Sequence, residues 1–222
     1  MFYRYAISAV IAAVLTGMSA TAGATTITFF YDNKAAFDAA ASTALYEDFE
    51  SFSPKDTNLP LISLGIIAYT PFATASLPNL LVSSPGYLNY GVNVSPTTSS
   101  ILTTSGDEDF EMAFGIAQTA VGFVGYLNGL GPGTVKVFDG GTLLDTYNLP
   151  DVSGGAKIHF GVVSAGGTFD KLRWTSTAGS LLNTGVDDIS LSAVPEPSTY
   201  ALLATGLLVI GVLKQRRRLP RT

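Results

Sequence analysis

The sequence contains no cysteine and only one histidine, His159, in 222 residues. Without cysteine there is no disulfide and no thiol nucleophile, so the chain has to fold by burying apolar surface or by binding a metal. One histidine excludes a zinc site built from several histidines and leaves a catalytic triad without support. His159 lies in an apolar strand pattern, for which we predict a structural role. No glycine-rich phosphate loop connects a strand to a helix, so nucleotide chemistry is not indicated.

Charged residues are also scarce, at 13% of the chain, and their signs are unevenly distributed. Residues 25–193 hold 16 Asp and Glu against 6 Lys and Arg, a balance of −10, whereas the whole chain carries −5. A negative field of this kind repels phosphate backbones, which argues against nucleic-acid binding. It leaves cations as the natural partners of this part of the chain.

Residues 1–24 have the pattern of a secretory signal peptide. Arg4 supplies the positive start, residues 6–15 supply the apolar core, and Ala22-Gly23-Ala24 supplies the small residues that precede a cleavage site. We predict cleavage after Ala24 and one exported domain over residues 25–193. A retained N-terminal membrane anchor is the alternative.

The last part of the chain, residues 194–222, has three consecutive sections: a tripeptide, an apolar run and a basic end. They consist of Pro195, Glu196 and Pro197; the stretch 198–213; and the cluster Lys214, Arg216, Arg217, Arg218 and Arg221. We predict a transmembrane helix at about 198–213. Its uncharged part from Tyr200 to Leu213 would span only about 21 Å as a helix, so the basic side chains have to extend to the headgroups. The positive-inside rule then places the C-terminus in the cytoplasm and the preceding domain outside.

This order of sections resembles the PEP-CTERM sorting signal of Gram-negative bacteria. The resemblance covers about residues 194–218, and it rests on the tripeptide Pro195-Glu196-Pro197 and on the arginines Arg216, Arg217 and Arg218. It implies recognition by an exosortase, a membrane-embedded, cysteine-dependent enzyme that resembles a transpeptidase and is thought to cut near the tripeptide. The resemblance identifies the export route and leaves the activity of the domain open.

The exported part is dominated by short β-branched and aromatic runs separated by Gly, Pro, Asn, Asp or Ser. One short helix is predicted after Asp32, which we expect to cap it, around Phe37 and several alanines. Otherwise we predict an all-β fold, an antiparallel, jelly-roll-like β-sandwich. The candidate strands are 26–31, 45–52, 63–69, 80–83, 100–104, 110–114, 120–127, 134–138, 143–149, 158–163, 171–175 and 186–192.

Two segments indicate the strand register directly. Asp139-Gly140-Gly141 favours the positive φ angles that a tight hairpin needs, so it should join the strands on either side. In residues 171–175, Leu172 and Trp174 alternate with Lys171 and Arg173, which predicts one buried and one solvent-exposed face.

Residues 70–106 are rich in Pro, Ser, Thr, Asn and Gly, which predicts long loops. Such loops on a rigid sandwich are common sites of ligand binding. Tyr87 and Tyr90, with Asn89 and Asn93, are candidates for stacking on a sugar and hydrogen bonding to it. The alternative is that these tyrosines only cover the edge of the sandwich.

Carboxylates are the remaining candidates for site chemistry. They form three groups: Glu47, Asp48 and Glu50; Asp107, Glu108, Asp109 and Glu111; and Asp187 and Asp188. In the second group, Asp109 and Glu111 alternate with Phe110, Met112 and Phe114, which predicts a solvated sheet face for the acids. Strands that begin and end a sandwich often lie side by side, so the first and third groups are candidates for one structural calcium site. We place Glu50 and Asp187 in it, with Asp48 nearby, because Asp188 falls on the opposite face. The alternative is that Asp188 and its neighbours only cap turns and keep the domain soluble.

The domain itself has a second, shorter resemblance. Asp48-Phe49-Glu50 and Gly185-Val-Asp-Asp-Ile-Ser-Leu191 resemble the first and last strands of jelly-roll carbohydrate-binding modules. In those modules the two strands pair and hold a calcium, which implies roles for Glu50 and Asp187 as ligands.

Together these patterns predict an exported, non-catalytic protein that is structural or associates with polysaccharide. It would reside in the cell envelope, on the outer surface or in the extracellular polymeric matrix of a Gram-negative bacterium, with an exosortase as its processing partner. The alternative is a glycoside hydrolase that uses a pair of carboxylates as acid and base.

Overall fold

The computed structural model describes residues 24–71, 80–86, 98–104, 110–127, 132–176, 185–192 and 205–208. Within these ranges it contains one helix, α1 (Lys34–Ala40), a helical turn at 205–208, and thirteen strands. The strands are β1 (Thr26–Tyr31), β2 (Thr43–Glu47), β3 (Ile62–Leu64), β4 (Ile67–Pro71), β5 (Leu80–Ser83), β6 (Ile101–Thr104), β7 (Phe110–Gln118), β8 (Ala120–Leu127), β9 (Gly133–Asp139), β10 (Thr142–Leu149), β11 (Ala156–Ala165), β12 (Phe169–Ser176) and β13 (Gly185–Ser192).

The strands form two antiparallel sheets, which confirms the predicted all-β fold. Sheet A has the order β1-β11-β8-β13-β6-β5, and β2 pairs with the second half of β13. Sheet B has the order β10-β9-β12-β7-β4-β3. From β6 onwards the chain changes sheet at every connection except the β9–β10 hairpin, an alternation in keeping with the predicted jelly-roll-like arrangement.

Aromatic side chains from both sheets form the centre of the core. Phe123 and Phe160 of sheet A lie with their ring centroids 5.8 and 6.5 Å from the ring of Trp174 in sheet B. All three side chains are buried. Such tilted and edge-to-face pairs add to the free energy gained from removing apolar surface from water. The prediction that Leu172 and Trp174 face inwards is confirmed, since both are buried while Lys171 and Arg173 keep 29% and 21% of their side chains exposed.

The helix α1 covers the outer side of sheet A. Phe37 is fully buried, and its ring lies over Gly122 and Gly161, where a side chain on either glycine would overlap it. The predicted helix is confirmed, but the predicted cap is wrong. The side chain of Asn33 accepts the N–H of Ala36 at 3.1 Å, whereas Asp32 adopts a positive φ of 48° one residue earlier. Asn33 therefore caps the first turn.

The strands predicted at 45–52 and 63–69 differ most from the structure. The strand predicted at 45–52 ends at Glu47, because Glu47 and Asp48 accept backbone N–H groups two residues further on and so form a turn. The strand predicted at 63–69 is a hairpin of β3 and β4, in which Gly65 has a φ of 56°. The predicted hairpin at Asp139 is confirmed, with φ angles of 54° and 86° at Gly140 and Gly141.

Ser192, the last residue of β13, is fixed in the end of the sandwich. Its hydroxyl group accepts the N–H groups of Thr119 and Ala120 at 3.0 and 3.1 Å, and it lies 3.3 Å from the side-chain oxygen of Gln118. The same end holds the start of β1, because Thr26 pairs with Ala165 and Ser164 donates its N–H to the Thr119 carbonyl. The chain therefore enters and leaves the body at one end.

The predicted leader and the predicted C-terminal helix fall mainly outside the described residues. Residues 1–23 and 193–204 are not among them, and of the run predicted at about 198–213 only 205–208 is described. Among the helices that the structure does describe, none is both long and apolar enough to cross a membrane.

The contact between Phe37 and Gly161 makes a testable prediction. We expect Gly161→Ala to lower the free energy of unfolding by about 1–3 kcal/mol, because the added methyl group would displace the Phe37 ring. Urea unfolding followed by tryptophan fluorescence measures this change. The control is Gly115→Ala, an exposed strand glycine whose added methyl group would meet only the backbone of Ile66, with its carbonyl oxygen at 3.4 Å. This substitution should change stability by less than about 0.5 kcal/mol. Equal effects of the two substitutions would contradict the prediction.

Candidate functional site

A tight acidic turn follows β2. The N–H of Phe49 donates to Glu47 at 2.6 Å, and the N–H of Glu50 donates to Asp48 at 3.1 Å. Phe49 itself has a φ of 58°, which is unusual for a bulky side chain and costs about 1–3 kcal/mol. Its ring is fully buried against Tyr69, with the ring centroids 5.8 Å apart, and this burial offsets the backbone strain.

The turn and β13 both contact the short segment before β6. The carboxylate of Glu50 accepts the N–H of Ser100 at 2.8 Å and its hydroxyl group at 3.1 Å. The carboxylate of Asp187 accepts the hydroxyl group of the adjacent Ser99 at 2.6 Å. Lys55 donates to the Ser100 hydroxyl at 2.6 Å and lies 3.7 Å from Glu50. We call these five residues the serine cluster; it joins the early turn to the last strand.

The pKa values of the two carboxylates in the serine cluster are shifted in opposite directions. The pKa of Glu50 is lowered, chiefly because the Ser100 N–H stabilises its ionised form. Burial raises the pKa of Asp187 from 3.8 to about 6, although Ser99 and the Asp188 N–H, 2.8 Å away, both favour the ionised form. Only 2% of Asp187 is exposed, so its oxygens face protein groups and not solvent.

The serine cluster supplies only part of a calcium site. Among the residues that the structure describes, no three Asp, Glu or His side chains gather in a metal-binding group. Glu50 and Asp187, which accept hydrogen bonds from the adjacent residues Ser100 and Ser99, would each contribute carboxylate oxygens. Asp48 belongs to the same turn as Glu50. The rest of the six to eight ligands that calcium takes would have to be backbone carbonyls and water.

Other predicted site residues lie outside the described ranges. These are Tyr87 and Tyr90; the sorting residues Pro195, Glu196, Pro197, Arg216, Arg217 and Arg218; and the acids Asp107, Glu108 and Asp109. Sequence reasoning did not find Ser99, Ser100 or Lys55. The two serines belong to a run of serine and threonine residues, and nothing in that run distinguishes the two that meet Glu50 and Asp187.

His159 lines an open groove of about 800 Å³ beside α1, together with Lys34, Asp38, Asp188 and other residues. Its ring lies 5.2 Å from that of Phe37, and its Nδ1 is buried without a hydrogen-bond partner among the described residues. Burial and the nearby Lys34 lower its pKa, so the neutral form is favoured. No serine or carboxylate is hydrogen-bonded to the ring in the described part of the chain, which leaves His159 without the partners of a catalytic base.

Comparison with solved structures gives several partial overlaps, among them one with a cyclase. The structure is described as a Stig cyclase, Fisc, from Fischerella sp. TAU in complex with (3Z)-3-(1-methyl-2-pyrrolidinylidene)-3H-indole. The identity is 12%, the overlap covers 70% of this chain and 98% of that chain, and the TM-score is 0.42. No curated protein matches the sequence.

Comparison with protein families gives one match, at residues 193–218, to the PEP-CTERM protein-sorting motif. The match begins directly after Ser192, the residue anchored at the end of β13. The motif implies an exosortase as the processing partner and export to the cell envelope or the cell surface. The chain is thus a PEP-CTERM domain-containing protein, with an antiparallel β-sandwich ahead of its sorting motif.

Proposed function

We propose that this protein is a non-catalytic component of the envelope or extracellular matrix of a Gram-negative bacterium, where it associates with polysaccharide. The observation that carries the proposal is the sorting motif, which follows the last strand of the sandwich without an intervening segment. A protein delivered in this way reaches the space in which surface polysaccharides accumulate. A rigid sandwich with long connections is an architecture suited to binding them.

A glycoside hydrolase is the second candidate. It is favoured by one observation: the pKa values of Glu50 and Asp187 are moved in opposite directions, as they are in an acid and base pair. However, Asp187 is buried and its two oxygens already accept hydrogen bonds from Ser99 and Asp188. A general acid has to reach the glycosidic oxygen. We therefore assign the pair a structural role.

The structural role includes a calcium ion held by Glu50 and Asp187, with Asp48 nearby. The buried carboxylate of Asp187 supports this part of the proposal, because a cation would favour the ionised form that burial disfavours. The domain has no disulfide, so a ligand that binds only the folded state would add to its stability. The ammonium of Lys55 already offsets part of the charge on Glu50.

Replacing Pro195, Glu196 and Pro197 with alanine should block processing. We expect the unprocessed chain to accumulate in the membrane fraction, since the apolar run stays intact while the recognised tripeptide is lost. Immunoblots of membrane and extracellular fractions measure the distribution, and Pro150→Ala, in the exposed connection between β10 and β11, is the control. Replacing Arg216, Arg217 and Arg218 with Gln should have the same effect through loss of the positive charge that orients the tail. Normal release of either variant would count against the assignment.

Binding and hydrolysis of polysaccharide can be separated in one experiment. The full-length chain in detergent is sedimented with insoluble extracellular polysaccharide from a Gram-negative biofilm, and the supernatant is assayed for new reducing ends. We expect co-sedimentation without new reducing ends. New reducing ends that disappear in Glu50→Gln would support the glycoside hydrolase. Absence of both signals would refute association with polysaccharide.

The raised pKa of Asp187 predicts a pH dependence with a defined sign. Because the pKa in the folded state is about 6 and its ordinary value is 3.8, the folded protein retains a proton that the unfolded chain loses between these values. The stability from the protonated carboxyl is complete below pH 3.8 and is lost as the pH rises through 6. Relative to Asp187→Asn, the wild type should lose up to about 3 kcal/mol of unfolding free energy between pH 3.5 and 7.

If Asp187 is a calcium ligand, calcium should offset the loss of unfolding free energy at neutral pH. At pH 7, millimolar calcium should then raise the Tm of the wild type compared with chelator, and it should leave Asp187→Asn unchanged. Asp151→Asn, an exposed carboxylate outside the serine cluster, is the control and should keep the full calcium response. A wild-type Tm that is the same with calcium and with chelator would remove calcium from the proposal.

A further inference from the structure

The outer side of sheet B carries positive charge in a strongly acidic body. Lys136 and Phe138 on β9 and Lys171 and Arg173 on β12 share this side with Glu111 on β7, and we call these five residues the basic face. The residues between them, such as Val137 and Leu172, are buried in the core. Three of the six Lys and Arg residues in 25–193 thus lie together, against one carboxylate.

Two of these cations are direct neighbours. Arg173 and Lys136 are opposite each other in the register of β12 and β9. Like charges directly opposite each other on neighbouring strands destabilise a sheet. Glu111 forms ion pairs with Arg173 and, at 3.3 Å, with Lys171. Among the described residues no carboxylate lies within ion-pair distance of Lys136, so the fold leaves this repulsion only partly compensated.

The rest of the basic face is shaped for an extended ligand. The half-buried ring of Phe138 has the Arg173 guanidinium 4.8 Å and the Lys171 ammonium 6.0 Å from its centroid. These contacts keep the long side chains over the sheet. Lys171 is paired in the register with Ala113 on β7, which is paired in turn with Ala68 on β4. The small side chains of the two alanines leave a shallow depression beside the cations. Asp139 and Asp170 lie at one end, by the β9–β10 turn.

We propose that the basic face binds an acidic polysaccharide, a polymer whose sugars carry carboxylate groups. The Arg173 guanidinium is already paired with Glu111. Lys136 has no carboxylate within ion-pair distance among the described residues, so it is the cation that meets a ligand carboxylate, and Lys171 and Arg173 attract the neighbouring negative charges. Bound carboxylates also remove the repulsion between Arg173 and Lys136. The inference rests on the proposed association with polysaccharide and specifies its chemical class and its surface.

A nucleic acid fits this surface less well than an acidic polysaccharide. A duplex carries one negative charge per about 1.7 Å, so it would extend over the acidic remainder of the body, whose balance is −10 over 25–193. A uronic acid polymer has a lower charge density, and its carboxylates alternate with uncharged ring faces. Those faces can pack on the shallow surface beside Ala113 and Ala68.

Binding of polygalacturonate to the full-length chain in detergent tests the proposal. Calorimetry is carried out with chelator present, at several salt concentrations, with neutral dextran and duplex DNA as competing polymers. We expect binding to polygalacturonate that weakens as salt rises. The double variant Lys136→Gln and Arg173→Gln should lose affinity at least tenfold. Lys34→Gln, a cation on α1 that pairs with Asp38 at 2.6 Å, should change it less than twofold.

The single variant Lys136→Gln separates binding from folding. Its Tm should stay equal to that of the wild type or rise, because it removes a like-charge neighbour of Arg173, while its affinity for polygalacturonate should fall. Wild-type affinity in the double variant, or preference for DNA, would overturn the inference. If the double variant binds dextran as well as the wild type does, the basic face is refuted as the binding surface, but the proposed association with polysaccharide stands. Binding of no polysaccharide would refute both.

Discussion

The sandwich depends on the insertion of its last strand, β13, between strands that are much earlier in the chain. One edge of β13 pairs with β8, and the other pairs with β6 through Val186 and with β2 through the residues from Ile189 on. Val186 and Ile189 are fully buried in the core. Sheet A therefore has a gap at its centre until residue 192 is in place, and the buried surface that stabilises the domain forms only when the whole body is available. Such non-local pairing costs loop-closure entropy before contacts compensate for it.

The serine cluster lies where β13 changes from one partner strand to the other. The register shifts between Asp187 and Ser190, and Asp188 has a φ of 48° there. Asp187 is left facing inwards at this irregularity, and the Ser99 hydroxyl and the Asp188 N–H satisfy its oxygens. Buried carboxylates need such partners. In a domain without cysteine, this polar junction and the aromatic core hold the two halves of the chain together.

The sequence correctly predicted those strands and turns that depend on only a few neighbouring residues. The alternation around Trp174 and the glycines after Asp139 gave the right faces and the right turn, because strand periodicity and positive φ act within a few residues. The turn at Gly65 was missed, since it interrupts an otherwise continuous apolar run. The site was predicted less completely: pairing of β2 with β13 was expected, but the contacts of Ser99 and Ser100 with Glu50 and Asp187 span 50 to 88 residues. Such contacts follow from the complete topology, which local periodicity does not contain.

Because Ser192 is fixed at the end of the sandwich, the Pro195-Glu196-Pro197 tripeptide has to lie close to that end. Only Ala193 and Val194 lie between Ser192 and Pro195, and a fully extended chain covers about 10–11 Å over these three Cα–Cα steps. The ten residues of β11 extend about 33 Å along the same sheet. An enzyme bound at the tripeptide therefore lies close to the end of the sandwich that holds Ser192 and Thr26, and the opposite end of the sheet is about one strand length further away. A cut at the tripeptide would leave only a few residues after the last strand of the sandwich.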